Sequence, residues 1–134
     1  MNKRTLVLLL ALALPLTARN DALASVKTVY VDSMGTSDVG ARFRVLLGLE
    51  LAKAGFTPVD TAEKADAIFT GVFMIRDYAS VTLVLKAPDG KQLWGMDVKR
   101  WWVEGARHSD PAQRRAQDIA RTLRKDVASA AKGK

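Results

Sequence analysis

The feature that most constrains the fold is an alternating segment followed by a tight turn and a returning segment. Residues 78–86 alternate between apolar and polar side chains, and residues 92–102 form the returning segment. The turn between them is Pro88-Asp89-Gly90, in which proline presets one backbone angle and glycine accepts a left-handed one. Strict alternation places the polar residues on one side of a strand. The sequence therefore predicts a β-hairpin with one face toward solvent.

Three further strands are predicted ahead of this hairpin. Residues 26–32 alternate, with threonine and tyrosine on one side and valines on the other. Residues 56–60 form a short segment, which Pro58 confines to a sheet edge or a strand end. Residues 68–76 carry apolar side chains on both sides, so we expect both faces of this strand to be covered.

An amphipathic helix is predicted between the first two strands. Thr36 or Ser37 can cap its start, and Gly55 can take the left-handed conformation that ends it. Helical spacing relates its apolar residues, which are Val39, Phe43, Leu46, Leu47, Leu51 and Ala54. Val45 and Leu49 widen this stripe, so the sequence predicts a well-buried helix.

The C-terminal segment predicts a second, longer helix. Asp110 suits the N-cap, and Pro111 suits the first helical position, where a missing N–H costs nothing. Small and aliphatic residues recur every three or four positions and form one narrow apolar stripe: Ala112, Ala116, Ile119, Ala120, Leu123, Val127 and Ala130. The opposite, solvent-facing side is predicted to carry the charges: Arg114, Arg115, Asp118, Arg121, Arg124 and Lys125.

The predicted order of elements is strand, helix, four strands, helix. A crossover through the first helix makes the first two strands parallel neighbours or near neighbours, because such connections are right-handed. Short connections make the last three strands antiparallel. The expected fold is therefore an α+β two-layer sandwich, with a mixed sheet of four to five strands and two helices on one face.

The N-terminus is typical of a secretory signal peptide. Two basic residues precede an apolar run over residues 5–16, which is shorter than the roughly 20 residues that a membrane-spanning helix needs. Ala22-Leu23-Ala24 forms a small-x-small cleavage site, and a cut after Ala18 is the alternative. We expect removal of residues 1–24, leaving residues 25–134 as a single domain that is periplasmic or secreted.

Composition narrows the range of partners. The chain contains no cysteine, so the domain depends on packing rather than disulfides, and it has no thiol for a lipid anchor. Residues 25–98 contain 8 Lys or Arg against 9 Asp or Glu, whereas residues 99–134 contain 10 against 4. Outside the cytoplasm, this basic surplus points to anionic lipids, acidic glycans or acidic proteins rather than nucleic acid.

Several short segments resemble a loose group of small bacterial envelope domains. They are residues 62–68, 71–73, 81–85, 89–91 and 93–94. The group includes the N-terminal domain of TolB, the curli secretion lipoprotein, the lipopolysaccharide-transport lipoprotein and activators of penicillin-binding proteins. The resemblance implies a module that binds another envelope protein and catalyses nothing. Most of these proteins are lipoproteins, which this cysteine-free chain is not, and no functional residue carries over.

His108, the single histidine, is the strongest candidate for catalysis. It could form a general acid–base pair with Asp110, but no nucleophile motif accompanies the pair. One histidine with scattered carboxylates is too little for a zinc site. The glycines near the first helix show neither a phosphate-binding lysine nor dinucleotide-binding spacing. We therefore expect no enzymatic activity, no metal and no cofactor.

Two adjacent tryptophans mark the predicted partner-binding surface. Trp101 and Trp102 fall on opposite faces if the last strand still runs there, so one of them leaves the core or covers an edge. An exposed tryptophan beside basic residues suits a partner surface. Arg107 in the following loop, and Arg114 and Arg115 at the start of the last helix, complete this predicted surface.

The predicted function is that of an exported binding or assembly-accessory module, which contacts another envelope protein. Two alternatives remain open. The basic face of the last helix, with Arg114, Arg121, Arg124 and Lys125, would bind an anionic lipid or glycan. A small hydrolase centred on His108 would need a deep pocket containing that residue.

Overall fold

The computed structural model describes residues 21–75, 78–101 and 111–132. The elements within these ranges are β1 (Thr28–Val31), α1 (Asp38–Lys53), β2 (Thr57–Pro58), a 3-10 turn (Ala62–Lys64), β3 (Ala67–Ile75), β4 (Tyr78–Lys86), β5 (Gln92–Trp101) and α2 (Pro111–Lys132). A further helical turn covers residues 21–24.

The five strands form one mixed sheet in the order β2-β1-β3-β4-β5. β1 pairs in parallel with both β2 and β3, whereas β3, β4 and β5 pair antiparallel. The two-residue strand β2 lies at the edge that Pro58 predicts. This arrangement confirms the α+β two-layer sandwich with a mixed sheet.

The predicted hairpin is confirmed. Its turn is closed by the amide of Gly90, which donates to the carbonyl of Ala87 at 2.9 Å, and by the amide of Ala87, which donates to the carbonyl of Lys91 at 2.8 Å. Gly90 has the expected positive φ of 93°. The register shifts beside Leu85, which leaves Leu93 as an extra residue that packs into the core.

α1 begins and ends where the sequence predicts. The Ser37 hydroxyl accepts a hydrogen bond from the amide of Gly40 at 3.1 Å, and Gly55 follows the helix with a φ of 100°. Its buried side packs on the sheet through Phe43, whose ring stacks on Phe73 with 4.4 Å between centroids. Aromatic contacts of this kind add to the hydrophobic stabilisation.

The predicted widening of the α1 stripe was wrong. Val45 is 63% exposed and Leu49 is 55% exposed. An α-helix turns about 100° per residue, so each side chain lies about 200° round from the buried residue two positions earlier. Both therefore face away from the sheet, beyond the reach of the core.

α2 packs on the same face of the sheet as α1, as predicted. Its apolar stripe is buried from Ala112 to Val127. On β5, the indole N–H of Trp94 donates to the carboxylate of Asp126 at 2.7 Å, and its ring meets Phe69 edge to face. This contact joins α2 to the outer strand of the sheet.

The second face of the sheet is open, contrary to the expectation that β3 is covered on both sides. Phe69 and Phe73 are fully buried beneath the helices. On the opposite side of the same strand, Val72 is 45% exposed and Met74 is 43% exposed. Both described α-helices lie on one layer, so their packing leaves the other side of the sheet to solvent.

Candidate binding surfaces

The predicted tryptophan surface lies largely outside the described residues. The backbone of Trp101 ends β5, where it pairs with Tyr78 of β4. Trp102, Arg107 and His108 fall in residues 102–110, which the structure does not describe. The role of these residues in binding therefore stays a prediction.

The two arginines at the start of α2 differ in their exposure to solvent. Arg114 is exposed, as predicted. Arg115 is only 6% exposed, and its guanidinium pairs with Asp118 at 3.2 Å, so its predicted place on the solvent-facing side was wrong. The physical reason is its position one residue before Ala116, at the margin of the apolar stripe, where a long aliphatic stem is readily buried.

The uncovered side of the sheet, here called the open sheet face, has an apolar centre. Val72 and Met74 are exposed there on β3, and the half-buried Val84 lies on the adjacent strand β4. At Val72 and Met74, β3 pairs with β4 on one side only, because its pairing with β1 ends at Phe69. On the other side, the amide of Phe73 donates to the carbonyl of Met34 at 3.1 Å. The exposed apolar groups therefore lie beyond the end of β1, on a strand that is hydrogen-bonded to β4.

Polar side chains surround this apolar centre. The hydroxyl of Thr82 donates to the carboxylate of Asp97 on the adjacent strand at 2.9 Å. On the β1 side, Arg44 donates to the carbonyl of Val31 at 2.7 Å and lies over the ring of Tyr30. Arg44 thereby binds a carbonyl at the edge of β1, beyond the end of the short strand β2. At the opposite edge of the sheet, β5 is the longer of the two edge strands.

A second feature is a groove on the helix layer, between the end of α1 and the middle of α2. Its volume is about 330 Å³, which is at the lower end of small-molecule sites. Lys53, Arg121 and Arg124 contribute positive charge to it, and we call it the basic groove. Its other lining residues are Glu50, Ala54, Gln117 and Ala120.

The carboxylate in the basic groove is already occupied. Glu50 is only 7% exposed, and it accepts hydrogen bonds from Lys53 at 3.1 Å and from the Gln113 amide at 2.7 Å. Arg121 and Arg124 have no hydrogen bond or ion pair with any residue that the structure describes. The groove therefore keeps a positive charge that its own acid does not neutralise.

Sequence reasoning identified Arg121 and Arg124 but missed Lys53 and the apolar residues beside it. Val45, Leu49 and Lys53 recur at four-residue steps, which places them along one side of α1. All three are exposed. The four-residue spacing of these three residues was the signal available in the sequence. It was missed because Val45 and Leu49, being apolar, were assigned to the core.

Asp66 is a structural carboxylate at the start of β1 and β3. Its carboxylate accepts from the amides of Lys27 at 2.9 Å and Thr28 at 3.0 Å, while its own amide donates to the Thr28 hydroxyl at 2.8 Å. These donors, the Thr28 amide foremost, hold the pKa of Asp66 below its usual value, against the smaller opposing effect of burial. Asp66 thus joins two parallel strands.

Two kinds of feature are missing from the part of the chain that the structure describes. No group of three or more histidine, cysteine or acidic residues comes together there in a way that could hold a metal ion. Neither α1 nor α2 combines the length and the apolar character that crossing a membrane requires.

Comparison with known proteins gives a distant likeness in structure and none in sequence. No protein-family profile and no curated protein matches the chain. The fold is similar to that of a solved PelC dodecamer from Paraburkholderia phytofirmans, with a TM-score of 0.48 and 16% identity over 75% of this chain and 86% of that chain. No residue or role is transferred from this likeness. The resemblance of the short segments to TolB and the envelope lipoproteins stays a prediction.

Proposed function

We propose that this chain is an exported, non-enzymatic binding domain of the bacterial cell envelope, which contacts another protein through the open sheet face. The observation that carries the proposal is the exposure of Val72 and Met74 on that face. An apolar centre within a polar rim is the usual anatomy of a protein–protein interface. The binding role follows from this surface, and the compartment follows from the N-terminal sequence.

The chemistry of the open sheet face supports binding rather than catalysis. The hydroxyl of Thr82 donates to the carboxylate of Asp97 on the adjacent strand, so among the described side chains it is engaged in a cross-strand pair. Small substrates are usually bound in a cleft, whereas an exposed strand surface is suited to contact with a protein.

The predicted tryptophan surface is compatible with this proposal. The backbone of Trp101 ends β5 beside Tyr78, at the same end of the sheet as Met74. We propose that Trp101, Trp102 and Arg107 extend the contact at that end, with Arg114 on the neighbouring helix. Arg115 is not part of it, because it is buried against Asp118.

Affinity capture from envelope extract, with partners identified by mass spectrometry, tests this function. The Val72→Ser/Met74→Ser variant removes the apolar centre of the open sheet face. Val45→Ser/Leu49→Ser removes an apolar pair of somewhat greater exposure from the helix layer and is the matched control. We expect the first variant to lose about 2 kcal/mol of binding free energy, or roughly 30-fold in affinity, as central interface residues do. The control should retain its partner.

Equal capture by the wild type and the Val72→Ser/Met74→Ser variant would contradict the proposal. The melting temperature of each variant separates a loss of binding from a loss of folding. Both pairs are exposed in the free protein, so we expect neither variant to lose much stability.

A further inference from the structure

The basic groove and the exposed side of α1 lie on the helix layer, opposite the open sheet face. We propose that this side of the molecule docks on an anionic phospholipid surface, with the basic groove taking a lipid phosphate and Val45 and Leu49 entering the headgroup region. The protein contact proposed above is carried by Val72 and Met74 on β3, whereas the docking proposed here is carried by Arg121, Arg124, Val45 and Leu49 on the helix layer.

The charge of the helix layer supports an anionic ligand. Three of the four acidic side chains on α1 and α2 are engaged within the fold: Glu50 with Lys53 and Gln113, Asp118 with Arg115, and Asp126 with Trp94. The fourth, Asp38, is exposed at the start of α1, far along the helix from Lys53. Arg121 and Arg124 have no such partner among the described residues, and Lys125 on α2 is exposed as well. The side therefore presents a net positive charge to solvent.

The arrangement of the basic groove suits a phosphate group. Arg121 and Arg124 are one helical turn apart on α2, and Lys53 lies across the groove at the end of α1. Arg124 lies beside Gly55, its guanidinium carbon 3.8 Å from where a β-carbon on that glycine would be. Guanidinium groups bind phosphate oxygens through paired hydrogen bonds.

The apolar residues beside the groove favour a lipid surface over a soluble anion or an acidic protein. Leu49 and Val45 lie about one and two turns before Lys53, respectively, on the same side of α1. A membrane interface accommodates both groups at once, because apolar side chains enter below the phosphates that the cations contact. A free phosphate would leave Val45 and Leu49 in water.

Flotation with lipid vesicles tests this docking. The protein as purified after export is mixed with vesicles of phosphatidylglycerol and phosphatidylcholine, or of phosphatidylcholine alone. We expect binding to the anionic vesicles only, and weaker binding as salt is added. The Arg121→Gln/Arg124→Gln variant should bind about 10- to 30-fold more weakly, since each cation near an anionic surface contributes about fivefold.

The matched control is Lys86→Gln/Lys91→Gln, which removes two exposed cations from the β4–β5 hairpin rather than from α1 or α2. It should bind within about twofold of the wild type, because neither lysine lines the basic groove. Val45→Ser/Leu49→Ser should weaken binding while leaving its salt dependence unchanged. All variants carry the same N-terminus, so their differences report on the helix layer alone.

Several results would overturn the inference. One is an absence of binding to anionic vesicles, and another is an equal loss in the arginine and lysine variants. A third is that the protein binds an acidic polysaccharide through Arg121 and Arg124 but does not bind vesicles. This result would identify the basic groove as a glycan site. A fourth is that millimolar inorganic phosphate abolishes vesicle binding while Val45→Ser/Leu49→Ser leaves that binding unchanged. The basic groove would then be a site for free anions rather than for a lipid surface.

Discussion

At the scale of single residues, two glycines in similar-looking apolar segments have opposite roles. A β-carbon on Gly71 would approach the neighbouring strand too closely, at 2.7 Å from the α-carbon and 2.8 Å from the β-carbon of Leu83. A β-carbon on Gly48 of α1 would meet no atom within 4 Å. Gly71 is therefore required for the close pairing of β3 and β4, whereas Gly48 is not required by packing.

We expect Gly71→Ala to destabilise the fold by about 2–3 kcal/mol, because the paired strands must move apart. Gly48→Ala should stabilise it by about 0.5–1 kcal/mol, because alanine loses less backbone entropy in a helix. Urea unfolding of both variants measures the two free energies. A neutral Gly71→Ala would mean that β3 and β4 are not paired as closely as described.

Asp66 gives the second prediction at this scale, and it concerns pH. The folded state lowers the pKa of this carboxyl, so its ionised form contributes stability above the usual value of 3.8. That contribution is lost as the pH falls through the lower, folded-state pKa. We expect Asp66→Asn to be less stable than the wild type at neutral pH, and the difference to shrink below pH 3.8.

Urea unfolding at a series of pH values checks this difference. Asp60→Asn is the control, because Asp60 forms an exposed pair with Lys64 and such pairs contribute little. A stability difference for Asp66→Asn that stays constant down to low pH would contradict the assigned role of the Asp66 carboxylate.

At the scale of single elements, the sequence was most informative where a periodic pattern coincided with end signals. The hairpin has both alternation and a Pro88-Asp89-Gly90 turn, and β4 has the predicted bounds. α1 has a serine cap and a terminal glycine, and its ends were also predicted. The errors concern the packing partners of an element. The apolar character of Val45 and Leu49, for example, does not show which side of α1 packs against the sheet.

The docking of α2 gives the prediction at this scale. Leu123 is fully buried against the sheet. Leu123→Asp would place a charge in that contact, and we expect it to cost several kcal/mol, about 3–5, a large part of the stability of a domain this size. Ser129→Asp, at an exposed position on the same helix, is the control and should change the melting temperature little. Near-unchanged melting of Leu123→Asp would mean that α2 is not docked.

At the scale of the whole molecule, the layer arrangement was predictable and the surfaces were not. Two amphipathic helices and a set of short strands permit few packings, so the two-layer sandwich followed from the element order. The open sheet face depends on the position of both described α-helices on the other side of the sheet from Val72 and Met74. The basic groove depends on Lys53 and Arg121, which are far apart in sequence and meet only when the helices pack.

The N-terminus of the mature protein is also a question at this scale. Leu23 is only 8% exposed and belongs to the core cluster, and the Ser25 amide donates to the Asp21 carbonyl. A cut after Ala24 would remove Leu23, whereas a cut after Ala18 would keep it. The burial of Leu23 therefore favours the alternative cut, after Ala18, over the cut after Ala24 that the sequence predicts. The intact mass of the exported protein distinguishes a start at Arg19 from a start at Ser25, and a mass beginning at Met1 would contradict export with cleavage.

The most direct test of the central claim is site-specific photo-crosslinking in living cells. A photoreactive amino acid placed at Val72 samples the open sheet face, and the same amino acid at Leu49 samples the helix layer. We expect a discrete protein adduct from position 72 and no such adduct from position 49, for which we propose lipid neighbours. No protein adduct from position 72, or the same adduct from both positions, would contradict the claim that the open sheet face binds a protein partner.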